Sequence, residues 1–105
     1  MVKFRSVKHK FGAVKTERDG IKFDSKKEAQ YYDELKIRVK ANEVLFFLRQ
    51  VPFDLPGNVR YRVDFVEFLV DGNVRFIDVK GMKTKDFIMK KKQVESLYPV
   101  TIEVI

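Results

Sequence analysis

The chain has 105 residues and 45% hydrophobic content, with ten Phe and four Tyr, which predicts one domain with a single modest core and argues against disorder. The absence of cysteine excludes disulfides, thiolate zinc sites and cysteine nucleophiles, and the single histidine, His9, argues against a Ser-His-Asp triad. The lack of any apolar run near 18 residues excludes a membrane-spanning segment. The net charge of +7 favours a polyanionic partner, most often nucleic acid.

The basic residues are concentrated at the two ends of the chain. Residues 1–18 hold six basic residues and one acidic residue, a net charge of +5. Residues 19–79 hold ten and eleven, giving −1, and residues 80–105 hold six and three, giving +3. Residues 1–12 form a basic arm without the apolar stretch of a signal peptide, so we expect an intracellular, cytoplasmic protein.

The first predicted elements are a short hairpin and a helix. Residues 11–23 predict a hairpin with its turn at residues 18–20, because Asp-Gly favours a tight turn. Asp24 or Ser25 then caps a helix that runs to about Ala41.

The predicted helix has an apolar face and a glutamate at its start. At helical spacing, the inward residues are Ala29, Tyr32, Leu35 and Val39. Asn42 favours a left-handed end to the helix. Ser25 and Glu28 form a capping-box pattern, in which the glutamate reaches back to the backbone of the cap. Glu28 also lies at the edge of the apolar face, so its carboxylate has a second possible direction, toward the sheet.

Strands follow the helix. Residues 44–54 predict a strand in which Pro52 marks an edge or a bend. Residues 61–81 predict two strands joined by a tight turn at Asp71-Gly72-Asn73, since β-branched and aromatic residues lie on both sides of an Asp-Gly pair. Three charged residues lie within these two strands: Asp64, Asp78 and Lys80.

The length of the loop decides whether these charges share a face of the sheet. A two-residue loop would place Phe65 opposite Asp78 and turn Asp64 to the other face. A three-residue loop, Val70-Asp71-Gly72 with its glycine at positive φ, would put Asp64 opposite Asp78. Two carboxylates directly opposite each other repel, and a divalent cation between them would offset that repulsion. Spacing alone leaves solvated strand ends as an equal alternative.

Both faces of the central hairpin are apolar, so we expect elements to cover the sheet on both sides. In the three-residue alternative, the face of Asp78 also carries Val66, Phe68, Val74 and Phe76. The opposite face carries Val63, Phe65, Ile77 and Val79.

The last predicted elements are a helix over residues 84–97 and a strand over residues 100–105. The residues nearest an inward stripe of this helix are Phe87, Met89 or the adjacent Lys90, Val94 and Leu97. The whole order, helix, three strands, helix and strand, predicts an α/β fold in one domain over residues 1–105.

This order and four charged positions resemble the PD-(D/E)xK nuclease superfamily, the restriction-endonuclease-like phosphodiesterases that include phage-type Holliday junction resolvases. The resemblance covers roughly residues 20–105 and implies an α-β-β-β-α-β core with a central mixed sheet flanked by helices. Four residues match the family pattern: the first aspartate (Asp64), the second acid (Asp78), the lysine (Lys80) and the helical glutamate (Glu28). Gln50 matches a supporting glutamine of small phage-encoded members. Val63 departs from the proline that commonly precedes the first aspartate, and Asp78 stands where glutamate is commoner.

The resemblance implies a Mg²⁺-dependent DNA endonuclease, selective for branched DNA, acting as a homodimer in a bacterial or phage-infected cell. One or two ions of Mg²⁺ or Mn²⁺ would be held by Glu28, Asp64, Asp78 and the backbone carbonyl of Val79, with Lys80 beside the scissile phosphate. The lysines implied to hold the DNA backbone are Lys83, Lys85, Lys90, Lys91 and Lys92. The alternatives are a non-catalytic nucleic-acid-binding module on the same scaffold and a basic structural protein.

Overall fold

The structure, a computed structural model, describes residues 16–105. The expected basic arm at residues 1–12 and the start of the first hairpin lie outside the described residues. The elements are β1 (Thr16–Arg18), β2 (Ile21–Phe23), α1 (Lys26–Lys40), β3 (Val44–Leu55), β4 (Val59–Leu69), β5 (Val74–Asp78), α2 (Lys85–Leu97) and β6 (Ile102–Val104). The predicted order of helix, three strands, helix and strand is confirmed, with the β1–β2 hairpin before it.

The main sheet has four strands in the order β3-β4-β5-β6 and is mixed. The strands β3, β4 and β5 pair antiparallel, and β6 pairs parallel with β5 after the crossover through α2. β3 is an edge strand, so Pro52 lies at an edge as predicted. The fold is therefore α/β, with a mixed sheet and two helices. Neither helix within residues 16–105 is long and apolar enough to cross a membrane.

The register of the β4–β5 hairpin follows the three-residue alternative. Phe65 pairs with Ile77, and Phe68 pairs with Val74. At the turn, the Leu69 N–H donates to the Asn73 carbonyl at 2.8 Å, and Gly72 has a φ of 95°. An Asp71 carboxylate oxygen accepts the Asn73 N–H at 2.8 Å, which further fixes the loop. The same register continued by one residue puts Asp64 opposite Asp78.

The first helix begins and ends where the sequence predicts. Ser25 is its N-cap, and the Ser25 Oγ accepts the backbone N–H of Glu28 at 3.1 Å. Asn42 has a φ of 59°, which confirms the left-handed end.

Two apolar clusters cover the two faces of the sheet, as predicted. The cluster beneath α1 contains Phe23, Ala29, Tyr32, Leu35, Val44, Phe65, Ile77 and Val79. The cluster beneath α2 contains Leu55, Tyr61, Val63, Val66, Phe87, Val94 and Ile102. On α2, Phe87 and Val94 are buried as expected, but Met89 and Leu97 are each 55% exposed, so the stripe predicted through them is wrong.

Strand β4 changes the face that its side chains present near Asp64. Val63 and Phe65 are two residues apart, yet they pack into different clusters, so the prediction that Val63 shares a face with Phe65 is wrong. On the neighbouring strand, Gln50 has a left-handed φ of 52° between the paired residues Arg49 and Val51. Such irregularities redirect side chains. This one lies where the candidate site is built.

Candidate functional site

The regular pairing of β4 and β5 ends at Phe65 and Ile77. Beyond that point, aspartate carboxylates accept the hydrogen bonds of the backbone N–H groups. The Asp64 N–H donates to Oδ1 of Asp78 at 2.9 Å. The Val79 N–H donates to Oδ2 of Asp64 at 2.9 Å. Each aspartate therefore binds backbone beside the other, and the two predicted acids are brought together at the point where the strands separate.

Tyr61 completes the surroundings of Asp78. Its hydroxyl donates to Oδ2 of Asp78, so both oxygens of that carboxylate accept hydrogen bonds. Asp78 has no exposed surface, and Asp64 is 8% exposed. Burial, followed by the hydrogen bond to Asp78, raises the pKa of Tyr61, which keeps the phenol protonated as a donor. Tyr61 carries no recognisable sequence signal, since a tyrosine is ordinary in a strand.

Glu28 reaches the aspartates through Gln50. The Gln50 Nε2 donates to Oε2 of Glu28 and to Oδ1 of Asp64, each at 3.2 Å. The hydrogen bonds of residues 16–105 include the Ser25 side of the capping box but none from the Ser25 amide to the Glu28 carboxylate. The local capping interpretation is thus half right, because the carboxylate points toward the sheet.

The carboxylates of Glu28 and Asp64 are unfavourably placed when both are charged. Burial, with the negative charge of Asp64 as the second cause, raises the pKa of Glu28 from 4.5 to about 7. Burial also raises the pKa of Asp64, where Asp78 adds to the increase and the Val79 N–H, Lys80 and Gln50 oppose it. The site therefore holds negative charge at an energetic cost, a common property of functional sites.

Lys80 lies beside these acids. Its backbone is fixed by the residue after β6, since its N–H donates to the Ile105 carbonyl at 3.1 Å. Its Nζ lies 5.1 Å from the centre of the Phe87 ring, and its positive charge lowers the pKa of both Glu28 and Asp64. Among the described residues, no carboxylate lies within ion-pair distance of its Nζ. The ammonium group is therefore available to an anion.

Arg49 is a further cation at the site that the sequence interpretation did not include. Its Cζ lies 4.5 Å from the centre of the Phe23 ring, and its Nη2 lies 3.9 Å from Oε2 of Glu28. A signal was present in the sequence, because an arginine beside Gln50 interrupts an otherwise apolar strand. A single edge-strand arginine is more often solvated, which made that signal weak.

The lysines assigned to DNA binding lie on the loop before α2 and on α2 itself. Lys83, Lys85 and Lys92 are exposed. Lys90 forms an ion pair with Asp86 at 3.1 Å, and Lys91 forms one with Glu95 at 3.1 Å. Both pairs have i,i+4 spacing on the helix. The structure does not bring these lysines into the carboxylate cluster, and their role stays a prediction.

The carboxylates at this site fit a divalent metal only in part. Carboxylate oxygens are the ligands that Mg²⁺ and Mn²⁺ prefer. Glu28 and Asp64 fit such a metal, because one oxygen of each faces the same amide nitrogen. A cation between the two carboxylates would offset the repulsion of their charges. Both oxygens of Asp78 accept hydrogen bonds, as both oxygens of Asp64 do, but Asp78 has no exposed surface whereas Asp64 is 8% exposed. No three His, Cys, Asp or Glu side chains within residues 16–105 form a ready metal-binding group. The predicted ligand roles of Asp78 and of the Val79 carbonyl therefore stay predictions.

Comparison with known proteins gives one family. The family described as "Protein of unknown function (DUF1064)" matches residues 8–103, nearly the whole chain. No curated protein and no solved structure matches the chain.

Proposed function

We propose that this chain, which belongs to the DUF1064 family, is a metal-dependent deoxyribonuclease with a restriction-endonuclease-like core. It would hydrolyse phosphodiester bonds, with selectivity for branched DNA such as Holliday junctions, and would act as a homodimer. The observation that carries the proposal is the position of the Gln50 amide, 3.2 Å from Glu28 and 3.2 Å from Asp64. This amide joins a carboxylate from the helix to a carboxylate from the strand. Beside them lies the ammonium group of Lys80, which has no carboxylate partner within residues 16–105.

Two nearby buried carboxylates are better explained by a ligand than by stability. Like charges in a poorly solvated site destabilise the folded state. Burial raises the pKa of both groups, the charge of Asp64 adds to the increase for Glu28, and the charge of Asp78 adds to that for Asp64. Glu28 and Asp64 would hold Mg²⁺ or Mn²⁺. When bound, the ion would supply an acidified water and stabilise charge on the phosphoryl oxygens.

The other residues of the site position and neutralise charge. Gln50 holds both carboxylates in one orientation with its two N–H donors. Asp78 accepts the Asp64 N–H, so it fixes the backbone from which the Asp64 carboxylate projects. Lys80 would place its ammonium group against a phosphoryl oxygen and stabilise the negative charge that develops there.

Binding to DNA is supported by charge. The net charge is +7, and the exposed lysines Lys83, Lys85 and Lys92 lie between Lys80 and the end of α2. Lysines of this kind contact phosphates without reading base sequence. The preference for branched DNA and the dimer follow from the resemblance to the junction resolvases.

A non-catalytic nucleic-acid-binding module is the second candidate. One observation favours it: Asp78 is fully buried, and both of its oxygens accept hydrogen bonds from the protein. In such a module, the acids would serve only to shape the end of the sheet.

The two candidates differ in whether DNA is cut. A four-way junction, a linear duplex and a single strand are incubated with the protein in Mg²⁺ or in EDTA. We expect cleavage of the junction in Mg²⁺ only, and none by Asp64→Asn, whose DNA binding persists or tightens because a negative charge is removed. Asp54→Asn is the control, since it removes an exposed carboxylate paired with Arg60 on the surface. Near-normal cleavage by Asp64→Asn rules out this site, and binding without cleavage by the wild type favours the module.

A further inference from the structure

Arg49 carries a buried nitrogen without a partner. Its Nε is shielded from solvent and has no hydrogen-bond acceptor among the described residues. Burying an N–H without an acceptor is unfavourable, so each such group in a folded protein calls for an explanation. An arginine is a demanding case because its guanidinium group presents five N–H donors.

The contacts of Arg49 hold its charge in place without satisfying those donors. The guanidinium group lies against the Phe23 ring, which is itself 1% exposed and belongs to the last residue of β2. The distance of 3.9 Å from Nη2 to Oε2 of Glu28 allows electrostatic attraction but is too long for a hydrogen bond. The Arg49 side chain keeps 23% of its surface exposed, so a ligand can reach it.

The position of Arg49 places it at the proposed active site. It is paired across the sheet with Phe65, the residue after Asp64, and it precedes Gln50, which bridges the two carboxylates. Two cations lie beside Glu28, Arg49 from β3 and Lys80 from the segment after β5, and both lower its pKa. The two cations thus approach the same carboxylate from different parts of the sheet.

We propose that Arg49 binds a non-bridging oxygen of the DNA phosphodiester group in this site. The inference rests on the proposed function, since it takes the phosphate of DNA as the anion. The planar guanidinium group can donate two parallel hydrogen bonds to a phosphate, and a small shift of the side chain on binding would uncover Nε and give it the acceptor that it lacks. Arg49 and Lys80 together would then hold one phosphate against the carboxylates.

A purely structural role for Arg49 makes different predictions. If Arg49 only balances the charge of Glu28, its removal lowers stability and shifts the titration of Glu28, while DNA affinity stays unchanged. If it binds phosphate, its removal lowers DNA affinity, and its Nε–H signal responds to DNA. The experiment therefore measures binding and the arginine signal directly, without relying on cleavage.

The first measurement compares Arg49→Gln with Arg60→Gln, an exposed arginine on the same hairpin, in DNA binding with EDTA present. We expect Arg49→Gln to weaken binding roughly tenfold. The slope of log affinity against log salt should fall by about one. Arg60→Gln should change either quantity less. Arg49→Lys keeps a positive charge beside Glu28, so it serves if Arg49→Gln does not fold, and it should retain the slope but bind more weakly than wild type.

The second measurement follows the Arg49 Nε–H resonance of the wild-type protein by NMR during addition of duplex DNA. A shift of that resonance, absent for the Arg60 resonance, is expected. Unchanged affinity in Arg49→Gln together with an unmoved resonance overturns the inference, and if the wild type still cleaves DNA in Mg²⁺, the nuclease proposal stands without it. A shifted resonance and weakened binding, with no cleavage by wild type, support the phosphate contact and refute the nuclease. Failure of the wild type to bind DNA overturns both.

Discussion

Replacing Glu28 with glutamine tests whether the negative charge of Glu28 destabilises the folded protein. Glutamine keeps an oxygen that can accept the hydrogen bond from Gln50, but it carries no charge at any pH. The pKa of Glu28 in the folded protein is about 7, against an ordinary 4.5, so the folded state takes up a proton more readily than the unfolded state. The stability that this protonation contributes is fully present below about pH 4.5 and is lost as the pH rises through 7.

The magnitude follows from the size of this increase. A pKa difference from 4.5 to about 7, at 1.36 kcal/mol per pH unit, sets an upper limit of about 3 kcal/mol on the cost of the charged group. That limit already includes the attraction of Glu28 to Arg49, and we expect a net gain of about 1 to 3 kcal/mol at about pH 8 and little difference at about pH 5. For a domain of this size, each kcal/mol corresponds to roughly 4–8 °C in Tm.

Thermal unfolding followed by circular dichroism, in EDTA at the two pH values, measures the effect. Glu34→Gln is the matched control, because Glu34 is an exposed glutamate on the same helix and should leave the Tm unchanged at both. Adding Mg²⁺ at about pH 8 should raise the Tm of wild type more than that of Glu28→Gln, since the ion would neutralise the same charge. A loss of stability in Glu28→Gln that is equal at both pH values would refute the reasoning, because Glu28 would then contribute through packing alone.

Other substitutions test the turn, the support of Asp78 and the lysines. Gly72→Ala should destabilise the protein by about 1 kcal/mol or more, measured by urea unfolding, because a residue with a Cβ is strained at a φ of 95°. Steric contact would add nothing to this cost, since the new Cβ would meet no neighbour within 4 Å. An unchanged free energy of unfolding would mean that the turn relaxes without cost. Tyr61→Phe should cost about 1–3 kcal/mol in the same assay, because it leaves a buried oxygen of Asp78 without its donor, and a neutral result would contradict that hydrogen bond. Neutralising the lysines at residues 90–92 together should weaken DNA binding alike for all sequences and flatten its salt dependence; a gel-shift series with an unchanged slope would place the DNA elsewhere.

Local patterns in the sequence determined the elements and limited the register of the central hairpin. The serine cap and the asparagine at the end of α1 are set by contacts a few residues apart, so they could be found without the fold. The chemistry of the Val70-Asp71-Gly72 loop narrowed the register to two alternatives. The charges at Asp64 and Asp78 left solvated strand ends as an equal alternative, and only the resemblance to the PD-(D/E)xK nucleases added Glu28, Lys80 and Gln50 to a candidate site.

The tertiary structure decided which polar groups meet. The direction of the Glu28 carboxylate depends on whether Ser25 or Gln50 offers it a donor, and Gln50 lies on a strand far along the chain. The packing of Val63 with the α2 cluster depends on an irregularity that alternation in the sequence does not signal. Leu97 is 55% exposed, and helical spacing alone did not distinguish it from the buried Phe87 and Val94.

Arg49 and Tyr61 escaped the sequence analysis for the same reason. The pattern of residue types along a strand predicts which side chains share a face of the sheet. It does not predict which buried donor lacks an acceptor or which carboxylate accepts hydrogen bonds at both oxygens. Those requirements arise only when residues distant in sequence are removed from water together, since an unpaired polar group costs free energy only once it is buried. Periodicity and turn chemistry therefore specify the scaffold of this protein, while the pairing of buried charges and donors specifies its site.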